Sequence, residues 1–461
     1  MTLKANCPIL SIILFLLISL CNTGACPATE PSKTFTLGEL IRMALETSPK
    51  LRMAEQDILA AKSEYKEAKG GGLPQVDVSA LTGPMENATF PTVNLKTGQI
   101  ISHDKGTWSI GIFGDLDLVI SQPIYAFGKI TDRQEAAALG VEASKDARAA
   151  QRNKTVLDVK RLYYAYLIAR QGRQAAGDAD NYISDAERRI KKLLELNSPN
   201  VQSSDLYRVE AYRGEVKAFA AKAKAGALTA CAALKAEVGL PLDSELQLKE
   251  TEIPQSSFKL APVEVYIQQA LSNRPELLAV RKGAAAKGKL ADAAQADLYP
   301  TVFGAVVASV AGAPGRQEFD NTYIYDQFNH SYASFFAGAQ WHWDFGISTG
   351  KRDKARAEYQ KMLNTEDFAR RNIPVEVIKD YQDVVEQQKA STDYHEAMVG
   401  ARKWIVAAFS NFDLGIGTAR DMFDAIDRYG KNQGNYLQAL YKYNLALANL
   451  DYAIGEMTIK H

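Results

Sequence analysis

Residues 44–74 read ALETSPKLRMAEQDILAAKSEYKEAKGGGLP, and residues 270–300 read ALSNRPELLAVRKGAAAKGKLADAAQADLYP. The two stretches align without a gap: Ala44-Leu45, Pro49, Leu51 and Pro74 answer Ala270-Leu271, Pro275, Leu277 and Pro300. Further on, Phe127-Gly128, Val159 and Tyr163 answer Phe345-Gly346, Val377 and Tyr381 at a smaller offset. Asp205 and Gly239 then answer Asp421 and Gly455 at a smaller one still. The offset changes only between these blocks. Loops absorb length differences at small free-energy cost and packed elements do not, so the pattern is that of a duplicated structural unit. Its period is far longer than that of a solenoid repeat. The chain divides into two similar halves, 36–239 and 262–456, joined by a linker at 240–261.

Both halves run through the same order of elements. From Thr36 to Lys69, apolar or small residues recur at Leu51, Ala54, Ile58, Ala61, Tyr65 and Ala68, the seam of a helix packed along its length. Gly70-Gly71-Gly72 and Pro74 break it, and the period falls to two, with Val76, Val78 and Ala80 alternating with Asp77 and Ser79. A polar loop is expected from Gly83 to Gly106, then a second strand from Trp108 to Tyr125. Lys129 to Leu196 lacks proline and reads as one helix; at about 1.5 Å per residue it is roughly 100 Å long, more than a compact domain needs. Ser198-Pro199-Asn200 turns the chain into a return helix from Ser203 to Val238. The second half predicts a helix to Asp297, strands at Val302–Val310 and Phe335–Phe345, a long helix to Phe409, a Gly415-Ile416-Gly417 turn and a return helix to Gly455. Pro374, opposite Val156 of the first half, is expected to kink or loosen its helix.

Lys plus Arg and Asp plus Glu both number 54, so no general basic surface for nucleic acid is implied. The N-terminus carries Lys4, an apolar run from Ile9 to Leu20 and small residues to Ala25, the pattern of a signal peptide over 1–25. That run is too short for a membrane-spanning helix, which needs about 20 residues. Cys26 at the cleavage point is a candidate for lipidation, with ordinary cleavage as the alternative. Cys231 alone in the body allows no internal disulfide, so packing must hold the fold.

Four amphipathic strands cannot close a barrel in lipid, where eight or more are needed and open edges are intolerable. Three symmetric copies would supply about twelve. Trp108, Phe335, Phe336, Trp341 and Trp343 in or beside the strands suit a membrane edge. A soluble β-sandwich fed by coiled coils is the competing arrangement.

The duplicated order of helix, Pro-led strand, strand ending in Phe-Gly, long helix, Gly-containing turn and return helix resembles the TolC-like outer-membrane efflux proteins over the whole mature chain. The resemblance implies a mostly α chain with membrane β, forming a homotrimer whose 12-stranded barrel in outer-membrane lipid continues into an α-helical tunnel across the periplasm. It implies the passive exit duct of a tripartite efflux system, with a periplasmic adaptor and an inner-membrane pump as partners. A type I protein secretion channel shares that fold, and a pore-less periplasmic adaptor is the remaining alternative.

The resemblance also places Asp421 and Asp424, just past the turn at Gly415 and Gly417, at a ring of carboxylates around the periplasmic mouth, with Asp205 as the first-half counterpart. Such a ring would favour cations. Thr418-x-x-Asp421 is equally a helix-capping pattern. Gly417 and Phe412 stand where the family has an arginine and a tyrosine that help latch the closed state. His103, His330, His342, His395 and His461 have no ligand spacing. Lys69-Gly70-Gly71-Gly72 is a helix stop and not a phosphate loop. No nucleophile–base pattern occurs, so neither enzyme activity nor a cofactor is expected.

Overall fold

The computed structural model describes residues 34–87, 92–101, 109–255, 259–318, 323 and 325–457. The signal peptide 1–25, Cys26, His103, Trp108 and His461 lie outside the described residues. In chain order the elements are β1 (Thr34–Phe35), α1 (Leu37–Thr47), α2 (Pro49–Gly70), β2 (Gln75–Glu86), β3 (Thr92–Val93), β4 (Ile100–Ile101), β5 (Ile110–Tyr125), α3 (Lys129–Glu195), α4 (Ser203–Glu237), β6 (Gln247–Leu248), α5 (Val263–Asn273), α6 (Pro275–Ala296), β7 (Thr301–Gly312), β8 (His330–Gln340), α7 (Ile347–Asp413) and α8 (Ala419–Ala453).

The first helix of each half is two helices. Ser48 (φ −56°, ψ 119°) and Arg274 (φ −65°, ψ 115°) precede Pro49 and Pro275, which open α2 and α6. Proline crowds the residue before it out of helical geometry yet suits a first helical turn, where its missing N–H is not needed. The seam from Leu51 to Ala68 lies wholly in α2, and α1 buries a separate set, Leu37, Leu40, Ile41 and Ala44. The α7 helix, by contrast, runs unbroken through Pro374.

β2, β5, β7 and β8 form one antiparallel sheet in that order, leaving β2 and β8 as open edges. β2 extends through Pro84 to Glu86, beyond the expected loop boundary at Gly83, because an edge strand tolerates proline. In central β5, Pro123 sits at a register shift before Tyr125, the bulge that such a proline requires. β8 begins at His330 and ends at Gln340, earlier at both ends than expected. Trp341 leaves the ladder to donate its indole N–H to the Leu298 carbonyl at 3.0 Å, and Asp344 accepts from the Ser348 backbone N–H at 2.9 and 3.0 Å at the start of α7.

The register sorts the side chains into two faces. Val76, Val78 and Ala80 stand opposite Ile120, Leu118 and Leu116, these opposite Val306, Ala308 and Val310, and these in turn opposite Phe335, Ala333 and Ser331. The other face carries the polar groups of the sheet, Asp77, Ser79, Asp115, Asp117, Ser121, Ser309, Tyr332 and Ser334, interspersed with Leu81, Val119, Val307 and Phe336. On the apolar face Val78 is 65% and Phe335 77% exposed, so this sheet offers a bare hydrocarbon surface.

The α3–α4 and α7–α8 pairs pack as long antiparallel hairpins along α6 and each other. One apolar core surrounds α1, mid-α3 and the linker, where Tyr163 donates its hydroxyl to Glu250 at 2.5 Å. A second lies among α5, α7 and α8, and a third closes the far end of the hairpins. β6 in the linker pairs in parallel with β1. No helix among the described residues is long and apolar enough to cross a membrane.

Candidate functional site: the turns at the end of the helical hairpins

The far core holds Ile183, Ile190, Val209, Ile405, Phe409, Phe412, Met422 and Phe423, all buried. It fixes two turns side by side. The α3–α4 turn passes through Asn197 at φ +51° and re-enters a helix at Gln202. The α7–α8 turn places Gly415 at φ +76°, where L side chains are strained, and there the N–H groups of Ile416 and Gly417 both donate to the Asn411 carbonyl. A Cβ on Gly417 would lie 2.8 Å from the Phe412 nitrogen and 2.9 Å from the Asn411 carbonyl carbon, so only glycine closes this turn.

Equivalent aspartates do different work. Asp205 accepts from its own helix's N-cap N–H, Gln202, at 3.0 Å, lies 3.6 Å from Arg208 and has a largely covered side chain. Asp421 receives only half of the expected cap: its backbone N–H donates to the Thr418 hydroxyl at 3.2 Å. Its carboxylate turns across to α7, where the Trp404 indole N–H donates to it at 3.1 Å. Asp424 is exposed, 3.8 Å from Arg420. Phe412 is 1% exposed inside the apolar core and Gly417 has no side chain, so neither position can supply a polar latch.

Other groups join the two turns. The Asn200 side-chain amide donates to the Gly415 carbonyl at 2.8 Å. Arg189 on α3 pairs with Asp185 and with Asp413 at the end of α7, and its guanidinium lies 5.1 Å over the Phe409 ring. Tyr212 stacks on Phe423 at 5.6 Å, and Arg208 lies 5.8 Å over the same ring. Between α3, α4 and α8 runs a groove of about 380 Å³, lined by Ala176, Tyr212, Phe219, Ile426, Gly430 and Gly434. Sequence spacing could not have found Arg189, Asn200 or Trp404, because each meets a partner on another helix or turn. No cluster of His, Cys, Asp or Glu suited to a metal occurs among the described residues.

At the other end of the helices, the sheet meets them through aromatic residues. Phe127 stacks on Tyr299 at 5.4 Å, Trp341 and Trp343 meet edge-on at 5.1 Å, and Phe345 is wholly exposed. Aromatic rings between a bare apolar sheet and long polar helices mark a bilayer boundary.

The family model for "outer membrane efflux protein" matches residues 40–191 and 266–456. The chain belongs to the outer membrane efflux protein family. Its sheet accordingly lies in the outer membrane and its helices form the periplasmic tunnel. Solved structures with the same fold include the outer-membrane channel OprN, at 16% identity and a TM-score of 0.77 over 91% of this chain and 90% of that one. VceC of Vibrio cholerae matches at 18% identity and TM-score 0.72, covering 91% and 96%. The Campylobacter jejuni CmeC channel matches at 15% and 0.70, covering 95% and 92%. At such identities the likeness is one of fold. No curated protein sequence matches the chain.

Proposed function

We propose that this chain is the outer-membrane duct of a tripartite efflux system, working as a homotrimer with a periplasmic adaptor and an inner-membrane pump. The observation that carries the reading is the sheet: one bare apolar face, one polar face and two open edges, β2 and β8. Lipid tolerates no unpaired strand edge, so β8 of one copy must meet β2 of the next, and the polar face must line the lumen. The helical hairpins carry that lumen across the periplasm. Their terminal turns form its entrance, where Asp421 and Asp424 from three copies gather negative charge, with Asp205 a lesser contributor because its carboxylate already serves as a helix cap. The groove between α3, α4 and α8 suits an adaptor's apolar helix. Such a duct performs no chemistry; solutes delivered by the pump pass down it.

Reconstitution of detergent-extracted protein in planar bilayers tests this. Discrete conductance steps with a cation preference are expected. Protein that reaches the outer membrane and inserts but never conducts would refute the duct.

A further inference from the structure

The described ends of the connection between β7 and β8, residues 313–318 and 325–329, lie against the polar face of the sheet. Alternation along β5 places Phe113 on that face with Asp115 and Asp117. Phe328, from the connection, packs edge-on against Phe113 at 5.4 Å, and the Arg316 guanidinium covers Phe328 at 4.6 Å. The Tyr325 hydroxyl lies 3.3 Å from Nε2 of His330, and its ring meets Tyr332 at 6.5 Å. His330 in turn bonds the Ser309 hydroxyl at 2.7 Å. Asn329 accepts the Ala313 N–H at 2.8 Å, and Asp326 accepts from the N–H groups of Phe328 and Asn329, so the segment has internal structure of its own. Ser309 is 1% exposed on a face that an open barrel would leave wet. The register sets Asp115 in one cross-strand row with Ala311 and His330, and Asp117 in the next with Ser309 and Tyr332, so both carboxylates share the rows that the connection covers.

We propose that Ala313–Arg316 and Tyr325–Asn329 form an inward-folded constriction at the outer mouth, and that Asp115 and Asp117 beneath it favour cationic solutes there. The inference rests on the channel reading, since only a barrel makes the polar face a lumen. A narrow passage with low-dielectric walls concentrates the field of its charges, so two carboxylates under a docked loop discriminate far better than the same pair in an open pore. This filter stands at the opposite end of the molecule from Asp421.

The test introduces a thiol at Ser334, exposed on the polar face one row nearer the helices than Tyr332. Intact cells are treated with methanethiosulfonates of equal size bearing either trimethylammonium or sulfonate, and rates are taken against the chain lacking this thiol. The cationic reagent should react about tenfold faster. In Asp115→Asn/Asp117→Asn the ratio should fall to about one. In Tyr325→Ala/Phe328→Ala both rates should rise and the ratio should fall, with trimer content checked by gel for each variant. A ratio unchanged across all three backgrounds would overturn the constriction while leaving the channel in place. Failure of both reagents to reach the thiol in every background would remove the lumen itself, and the channel reading with it.

Discussion

Phe127 and Phe345, equivalent residues of the two halves, both adopt a left-handed backbone with φ of +49°. An aromatic residue is a rare occupant of that region, and each instance costs roughly 1–2 kcal/mol. Each Phe is followed by a glycine of positive φ, Gly128 or Gly346, that caps the long helix leaving the sheet, so the strained pair re-aims the chain from barrel to tunnel twice per copy.

Since Phe345 is wholly exposed in the chain, its ring adds little packing there and its backbone decides the outcome. Phe345→Asn, which tolerates the left-handed region, should fold at least as well. Phe345→Ile should lower the unfolding temperature of the detergent-extracted protein, because a β-branched side chain crowds that backbone. Equal unfolding temperatures would show that the strain is not borne there.

Gly417→Ala should destabilise the far core, since the new methyl meets backbone at 2.8 and 2.9 Å and backbone cannot step aside cheaply. Gly434→Ala, where nothing lies within 4 Å in mid-α8, should stabilise by roughly 0.5–1 kcal/mol. Denaturation midpoints of the two variants should therefore move in opposite directions.

Asp380 is buried in α7, and burial is the largest influence raising its pKa, ahead of the opposing pull of Lys379. Ionising it costs more in the folded than in the unfolded chain. Stability therefore declines as pH climbs from the ordinary carboxylate pKa through the raised folded one, and the penalty is complete above the latter. Asp380→Asn should raise stability at pH 7 and lose that advantage at pH 3. Denaturation curves at both values check the sign.

Asp421 and Trp404 can be separated by substitution. Asp421→Asn should weaken cation preference and multivalent-cation block in planar bilayers. Trp404→Phe keeps the ring but removes the donor, and so should preserve the preference. Were Asp421 only a structural partner of Trp404, Asp421→Asn and Trp404→Phe would both lower stability with selectivity unchanged.

The long elements were legible because their periodicity is sustained: α3 and α4 end within a residue of the expected bounds. Short-range breaks were not. The seam from Leu51 to Ala68 lies wholly beyond Ser48-Pro49, so it was silent on the break that local proline chemistry imposes there. β8 slipped because Trp341 and Trp343 read as strand but spend their side chains on an interface. At the turns, Asp421 was visible from the duplication, while its partner Trp404 was not, because only the packing of α7 on α8 brings them together. The same limit hid Asn200, which meets Gly415 from the other half of the chain.

The most direct test of the account is the mass of the protein extracted intact from outer membranes. One copy leaves β2 and β8 unpaired, and only association can satisfy them in lipid. Native mass spectrometry in detergent should find a complex of three chains that survives mild treatment and dissociates on heating. A monodisperse monomer that is stable in the membrane extract would contradict the shared barrel and the duct built on it.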